Sequence, residues 1–195
     1  MIKRNFDLEM QKALEDKDKK ILLHSCCAPC STACLERLMP LAEVTVFYYN
    51  PNIDTEEEFN KRELEQQKYC DKIGVKLITS IYDKKEFLSV VSGLEQEKEG
   101  GSRCEKCFYL RLKRTAEKAK ELGFDYFATT LTVSPLKNAE LINKIGEELQ
   151  EKIGVKYLVT DFKKKDGYKR SVELSNDNQM YRQNYCGCEF SKRNI

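Results

Sequence analysis

Ile21-Leu22-Leu23-His24-Ser25-Cys26-Cys27-Ala28-Pro29-Cys30-Ser31 is a short apolar run that stops at thiols, a proline and small residues, and beyond it Cys34, Leu35 and Leu38 recur at helical spacing. The stretch reads as strand, tight turn, helix, and the same alternation continues outward from it. Val44 to Tyr49 is rich in β-branched and aromatic residues and stops at Asn50-Pro51-Asn52; a charged helix follows from about Thr55 to Lys72, ended by Gly74. Val75 to Ile81 reads as a third strand, Lys84 to Gln96 as a helix, and Glu97 to Arg103 as a turn-rich break. A long helix then carries the apolar stripe Phe108, Leu112, Ala116, Ala119 and Leu122 up to Gly123. Asp125 to Val133 is a fourth strand, Leu136 to Lys152 a helix opened by Ser134-Pro135, and Val155 to Phe162 a fifth strand. Upstream, Asp7 to Asp16 forms a short helix before the polar Lys17-Asp18-Lys19-Lys20 break.

Strands alternating with helices predict an α/β fold: a parallel sheet with helices on both faces, because a right-handed crossover between parallel strands runs through the intervening helix. A chain of 195 residues is expected to form one such domain, spanning 1–195. Ligands of these sheets gather at the carboxyl ends of the strands, near the point where strand order reverses.

Composition narrows the function. Hydrophobic residues make up 41% and charged residues 34%, and no apolar run approaches the 18 or more residues of a membrane span. The start, Met1-Ile2-Lys3-Arg4-Asn5-Phe6-Asp7, lacks the apolar core of a secretory signal, so a cytoplasmic protein is expected. Thiols stay reduced there, and the nine cysteines are then expected to bind metal or do chemistry rather than staple the fold. The net charge of +2 predicts no general attraction to nucleic acid, but the basic excess is uneven. Residues 163–195 hold eight Lys or Arg against four Asp or Glu, with Lys163, Lys164, Lys165, Lys169 and Arg170 close together.

The cysteines fall into three groups. Cys26-Cys27-Ala28-Pro29-Cys30 follows the first strand, Cys104-Glu105-Lys106-Cys107 opens the helix that feeds the fourth, and Cys186-Gly187-Cys188 lies beyond the last strand in an extension free to fold over that edge. A helix N-terminus favours thiolate over thiol, and a glycine lets backbone wrap closely round a metal. Cys26, Cys27, Cys104, Cys107, Cys186 and Cys188 are therefore the candidate ligands. Cys34 and Cys70 fall in helical apolar patterns and read as core residues, His24 as a strand residue with a satisfied ring, and Cys30 as either ligand or core. Cys26 and Cys27, as neighbours, are expected to point in different directions. One zinc or one four-iron cluster takes four ligands, so six thiolates indicate a cluster plus a second, incompletely coordinated metal; two zinc sites fit the spacing equally well.

Leu23-His24-Ser25-Cys26-Cys27-Ala28-Pro29-Cys30-Ser31, Tyr48-Tyr49-Asn50-Pro51-Asn52-Ile53, Arg103-Cys104-Glu105-Lys106-Cys107-Phe108 and Tyr181-Arg182-Gln183-Asn184-Tyr185-Cys186-Gly187-Cys188 together resemble the epoxyqueuosine reductases of the QueH type, over essentially the whole chain. The resemblance implies an adenine-nucleotide α-hydrolase-like fold with cysteines where nucleotide-binding relatives carry a phosphate loop. It implies a cobalamin-independent iron-sulfur enzyme that removes the epoxide oxygen of epoxyqueuosine in tRNA, with a [4Fe-4S] cluster and an adjacent mononuclear iron. An external electron donor, ferredoxin- or flavodoxin-like or a chemical reductant, is then needed. The basic segment 163–195 is expected to close over the metal site and supply RNA contacts, with Arg170, Tyr181 and Arg182 as candidates, joined by Asn50 and Asn52 at the end of the second strand. Tyr168, Tyr181 and Tyr185 are the candidate proton donors, and Asp7 or Asp54 could complete the second metal site.

Two rival classes use the same residues. A zinc-stabilised nucleic-acid-binding module needs the cysteines and the basic tail but no redox chemistry. A thiol-disulfide oxidoreductase built on Cys104 and Cys107 makes Cys186 dispensable. A nucleotide-dependent enzyme of similar fold is disfavoured, since no Gly-rich phosphate loop follows the first strand.

Overall fold

In the computed structural model of the protein, which describes residues 4–16 and 18–192, the central strand β1 (Lys20–Ser25) is buried from Ile21 onward on both faces. Lys17 of the polar break and residues 193–195 of the basic segment lie outside the described residues. The other elements are α1 (Phe6–Ala13), α2 (Ala28–Leu38), β2 (Glu43–Tyr48), α3 (Glu56–Ile73), β3 (Lys76–Thr79), α4 (Lys84–Val91), α5 (Ser102–Glu121), β4 (Tyr126–Thr129), α6 (Ala139–Ile153), β5 (Lys156–Tyr157) and α7 (Gly167–Asp177). The strands form one sheet in the order β3-β2-β1-β4-β5, all neighbours parallel.

Alternation along β1 distributes its side chains between two cores. Leu22 packs with Phe47, Phe127 and the apolar faces of α5 and α6, including Leu112, Ala116, Ile142 and Leu149. Ile21 and Leu23 pack on the opposite face with Val44, Val46, Ala128, Leu35 and Leu38, and with Met10 and Leu14 from the N-terminal helix and the residue after it. Helices therefore cover both faces, and the strand order reverses between β1 and β4, which places a crevice at their carboxyl ends.

Several predicted boundaries move. The fourth strand stops at Thr129 and continues as a 3-10 turn over Thr130–Val133, and β5 is only Lys156–Tyr157, its pairing closed by Leu158 N donating to Phe127 O at 2.9 Å. Beyond Leu158 the chain bonds to a side chain instead: Asn143 Oδ1 accepts from Thr160 N at 3.1 Å while its Nδ2 donates to Thr160 O at 2.9 Å. The helix predicted from Leu136 begins at Ala139, because Asn138 Oδ1 accepts from Glu140 N at 2.9 Å and caps it. The helix predicted to reach Gln96 ends at Val91; the carbonyls of Leu94, Glu95 and Glu97 accept from Arg103 Nη1 rather than from a further helical turn.

Candidate metal centre

The site begins at the β1–α2 turn. Cys27 is the extended N-cap residue of α2 (φ −176°, ψ 159°) and Pro29 stands in the first turn, so the chain passes from strand to helix within two residues. Strand alternation ends with Ser25, and the sulfurs of Cys26 and Cys27 lie 3.9 Å apart on the same side, not pointing apart as expected. Cys30, one turn into α2, joins them: the three sulfurs all lie within 4.8 Å of one another. Cys26 is held well below the usual thiol range by hydrogen bonds from Cys27 and Cys30, with the charges of Lys137 and Arg111 contributing. Cys27 is pushed up to about 12, chiefly as donor to Cys26, and Cys30 is raised for the same reason. The grouping favours the anionic form at Cys26, and a metal ion bound there would displace the remaining thiol protons.

A second group forms opposite. Cys104 and Cys107 sit in the first turns of α5 on one face, and with Cys186, Cys188, Asn52 and Phe87 they line one small cavity. Helices α1, α3, α4 and α6 start with a side-chain cap, whereas α2, α5 and α7 do not. Just before α5, Gly100 N donates to Cys104 Sγ at 3.2 Å. Burial raises the thiols of Cys104 and Cys188 and pushes Cys107 up to about 12.

The C-x-C loop is fixed from the β2–α3 connection and α3. Asp54 N donates to Gly187 O at 2.9 Å and Arg62 Nη1 to Cys186 O at 3.4 Å. Gly187 has φ +121°, and a Cβ there would lie 3.1 Å from Arg62 Nη1 and 3.2 Å from Ile53 Cγ1, so glycine is required by both backbone and space. Arg62 is 1% exposed, pairs with Glu58 at 2.7 Å and lies 5.0 Å from the Tyr185 ring centre.

Cys26, Cys30 and Cys186 border a cleft of about 470 Å³ whose wall also includes Lys137, Tyr168, Arg182, Gln183 and Tyr185. Burial pulls the Lys137 ammonium down, but Cys186, Cys26 and Cys30 outweigh it and leave it raised. Four buried polar atoms around this end, Asn52 Oδ1, Arg62 Nη2, Arg103 Nε and Gln183 Oε1, have no hydrogen-bond partner among the described residues. Clustered soft sulfur donors beside unspent polar atoms fit a thiolate-bound metal centre.

The profile of the family described as Epoxyqueuosine reductase QueH matches residues 21–194. The chain belongs to this family. An epoxyqueuosine reductase QueH of Streptococcus pyogenes serotype M1 is 43% identical over 202 residues, 98% of this chain and 79% of the relative. That of Thermotoga maritima is 37% identical over 174 residues, 88% and 89% of the two chains. Among solved structures, the U34-tRNA thiolase NcsA from Methanococcus maripaludis with its [4Fe-4S] cluster superposes with a TM-score of 0.58 at 14% identity, over 96% of this chain and 67% of that one. A predicted tRNA methyltransferase subunit from Methanocaldococcus jannaschii superposes with a TM-score of 0.56 at 13% identity, over 81% and 74%. These two likenesses show the fold, of the adenine-nucleotide α-hydrolase type.

In this QueH chain the six cysteines singled out by sequence divide between the two groups, and Cys30 faces the site. Cys34 is buried, its thiol donating to Cys30 O, and Cys70 is buried against Gln66. His24 is neutral, held down to about 3 by burial and by Arg111; its Nδ1 lies 2.9 Å from Thr129 Oγ1 and its Nε2 3.1 Å from Tyr49 O. Asn52 lines the cysteine cavity, whereas Asn50 is buried between Arg111 Nη2 and Ser25 O and is spent on those bonds. Arg170 does not reach the cleft: it pairs with Glu36 at 2.7 Å and Glu173 at 3.2 Å, joining α7 to α2. Tyr181 OH bonds Glu58, under the Lys61 ammonium, and is likewise away from the cleft lining. Asp54 pairs with Lys192 and Tyr185, and Asp7 with Arg37 and Lys165, so neither carboxylate is free for the second site. The sequence reading missed Arg62, Arg111 and Lys137. For Arg111 a signal existed, since it falls four residues after Cys107 and seven after Cys104, on the same face of α5.

Proposed function

We propose that this protein removes the epoxide oxygen of epoxyqueuosine in tRNA at an iron-sulfur centre held by seven cysteines. The reaction balances as two electrons and two protons taken up, both epoxide C–O bonds broken, a carbon–carbon double bond formed and one water released. The electrons come from an external ferredoxin- or flavodoxin-like protein or a chemical reductant. When bound, the centre supplies single-electron transfer and an electrophilic metal position. Cys104, Cys107, Cys186 and Cys188, arranged around a cavity, suit a four-iron cluster; Cys26, Cys27 and Cys30, with sulfurs within 4.8 Å, suit an adjacent single iron with a position left open. This assignment adds Cys30 to the six ligands expected from sequence.

The cleft beside Cys26, Cys30 and Cys186, at about 470 Å³, has the volume of a site for one nucleoside. Arg182 lies 5.6 Å from the Tyr168 ring centre, and the pair offers flat surfaces on which an unstacked base can lie. Of the three candidate tyrosines, Tyr168 lines the cleft and its hydroxyl has no partner among the described residues, whereas Tyr185 and Tyr181 donate to Asp54 and Glu58. Tyr168 is assigned the proton delivered to the departing oxygen. Lys137 opens onto both this cleft and a neighbouring groove of about 820 Å³ whose other cations, Arg4, Lys163, Lys164 and Lys165, outnumber its acids, Asp7, Glu140 and Asp161, which gives the RNA phosphates a net basic path to the site.

The observation that carries this reading is the meeting of cysteines from the β1–α2 turn and the C-x-C loop on one cleft that also presents Lys137, Tyr168 and Arg182. Anaerobically purified protein incubated with a reductant and tRNA bearing epoxyqueuosine is expected to convert it to queuosine, detected by nucleoside mass spectrometry. Tight binding of that tRNA without conversion, by protein holding zinc and no sulfide, contradicts the reading.

A further inference from the structure

Arg111 is a cation in an unusual position. It is 1% exposed, and its donors reach Asn50 Oδ1 at 2.6 Å, His24 Nε2 at 3.3 Å and Cys107 Sγ at 4.0 Å. None of these partners is a carboxylate. Arg4, Arg37, Arg62, Arg114 and Arg170 each pair with Asp or Glu; Arg103 is buried too, but three backbone carbonyls accept from it. Among the described residues Arg111 is thus the buried guanidinium whose surroundings contain neither a carboxylate nor a set of carbonyls. An isolated charge in such a place is strongly unfavourable unless an anion accompanies it.

The anion that the geometry offers is sulfur. Cys104, Cys107 and Arg111 share one face of α5, Arg111 Nη1 lies 4.0 Å from Cys107 Sγ, and burial works against the guanidinium charge while Cys107, Cys26 and Cys186, one from each cysteine segment, favour it. Ligated cysteines are thiolates, so a loaded centre brings negative charge to this point and gains more on reduction. We infer that Arg111 is the built-in counter-charge of the metal centre, a positioning residue that favours binding of the anionic centre and raises its reduction potential. The inference rests on the iron-sulfur reading above.

The test uses whole protein loaded with iron and sulfide under anaerobic conditions, comparing wild type with Arg111→Lys, Arg111→Gln and Arg111→Met. The readouts are iron and sulfide per chain, the visible spectrum, and the midpoint potential from a spectroscopically followed reductive titration. The neutral variants are expected to hold the centre with its reduction equilibrium shifted at least about tenfold toward the oxidised form, which is about 59 mV lower for one electron. Arg111→Lys is expected to stay close to wild type. Neutral variants that fold without metal, by circular dichroism, but fail to retain iron while Arg111→Lys retains it also support the inference. A wild-type potential in Arg111→Gln or Arg111→Met overturns it. So does an Arg111→Lys variant as impaired as the neutral ones, or neutral variants that cannot fold even without metal, because hydrogen bonding or shape would then be the role. Wild-type protein that takes up no iron and sulfide overturns the underlying reading instead.

Discussion

The two cysteine groups differ in how the chain makes them. Cys26, Cys27 and Cys30 come from a single stretch of five residues, and the strand-to-helix turn alone brings their sulfurs within 4.8 Å. Cys104 and Cys107 meet Cys186 and Cys188 only because the C-x-C loop is packed against α3 and the β2–α3 connection by Arg62 and Asp54. Local geometry writes the first group into the fold, whereas the second depends on contacts between segments that are distant in sequence. Loops of that kind belong to the less stable parts of a protein, so the second group is the one that mutation and metal removal should disturb first.

Replacing Cys107 with Ala is the most damaging change: a thiolate ligand is removed, and reductase activity should fall by more than about 100-fold, beyond the usual effect of losing an outer-shell partner. Activity within a few-fold of wild type would remove Cys107 from the centre. Arg62→Met leaves every sulfur in place but frees the carbonyl of Cys186 and removes the ion-pair partner of Glu58, which keeps the Tyr181 hydroxyl. Iron retention after dialysis against a chelator should fall by about 10–100-fold, while Cys34→Ala should retain iron as wild type does. Gly187→Ala should destabilise the loop by about 1–3 kcal/mol through its positive φ, read as faster proteolysis between residues 181 and 191 in the metal-free protein with little change in global melting. Equal sensitivity of the two cysteine groups to these changes would break the contrast between them.

Smaller effects sharpen it away from the metal. The triple change of Lys163, Lys164 and Lys165 to Ala should weaken tRNA binding and flatten its log–log salt dependence by about 2 if each lysine meets one phosphate, leaving iron content untouched. Lys163 and Lys165 carry ion pairs with Asp161 and Asp7, so a smaller change would mean those pairs persist in the complex. Cys70→Ala should cost only about 1 kcal/mol of stability, measured by denaturant unfolding, and leave activity unchanged.

The fold was legible in the alternation of apolar runs with amphipathic ones, which gives five strands in sequence and the helices between them. What periodicity missed is where side chains replace the backbone ladder, as Asn143 does for Thr160 and Asn138 does at the start of α6. The cysteines were legible from residue type and spacing. The orientation of Cys26 and Cys27 was not, because strand alternation lapses one residue before the pair. Arg170 read as an RNA contact on charge alone, and its partners Glu36 and Glu173 lie on a neighbouring helix and its own, invisible to a count of basic residues. Lys137 had no motif to mark it, since its closeness to the sulfurs arises from packing between α2, the turn after β4 and the C-terminal segment.

The division of labour between the two cysteine groups is tested most directly by iron, acid-labile sulfide and zinc per chain, measured in anaerobically purified wild type and in a variant with Cys26, Cys27 and Cys30 all changed to Ala. The account predicts about five irons and four sulfides in the wild type, with one iron lost and the sulfides kept in the variant. Stoichiometric zinc without sulfide in the wild type, or loss of all sulfide with the three cysteines, would contradict it.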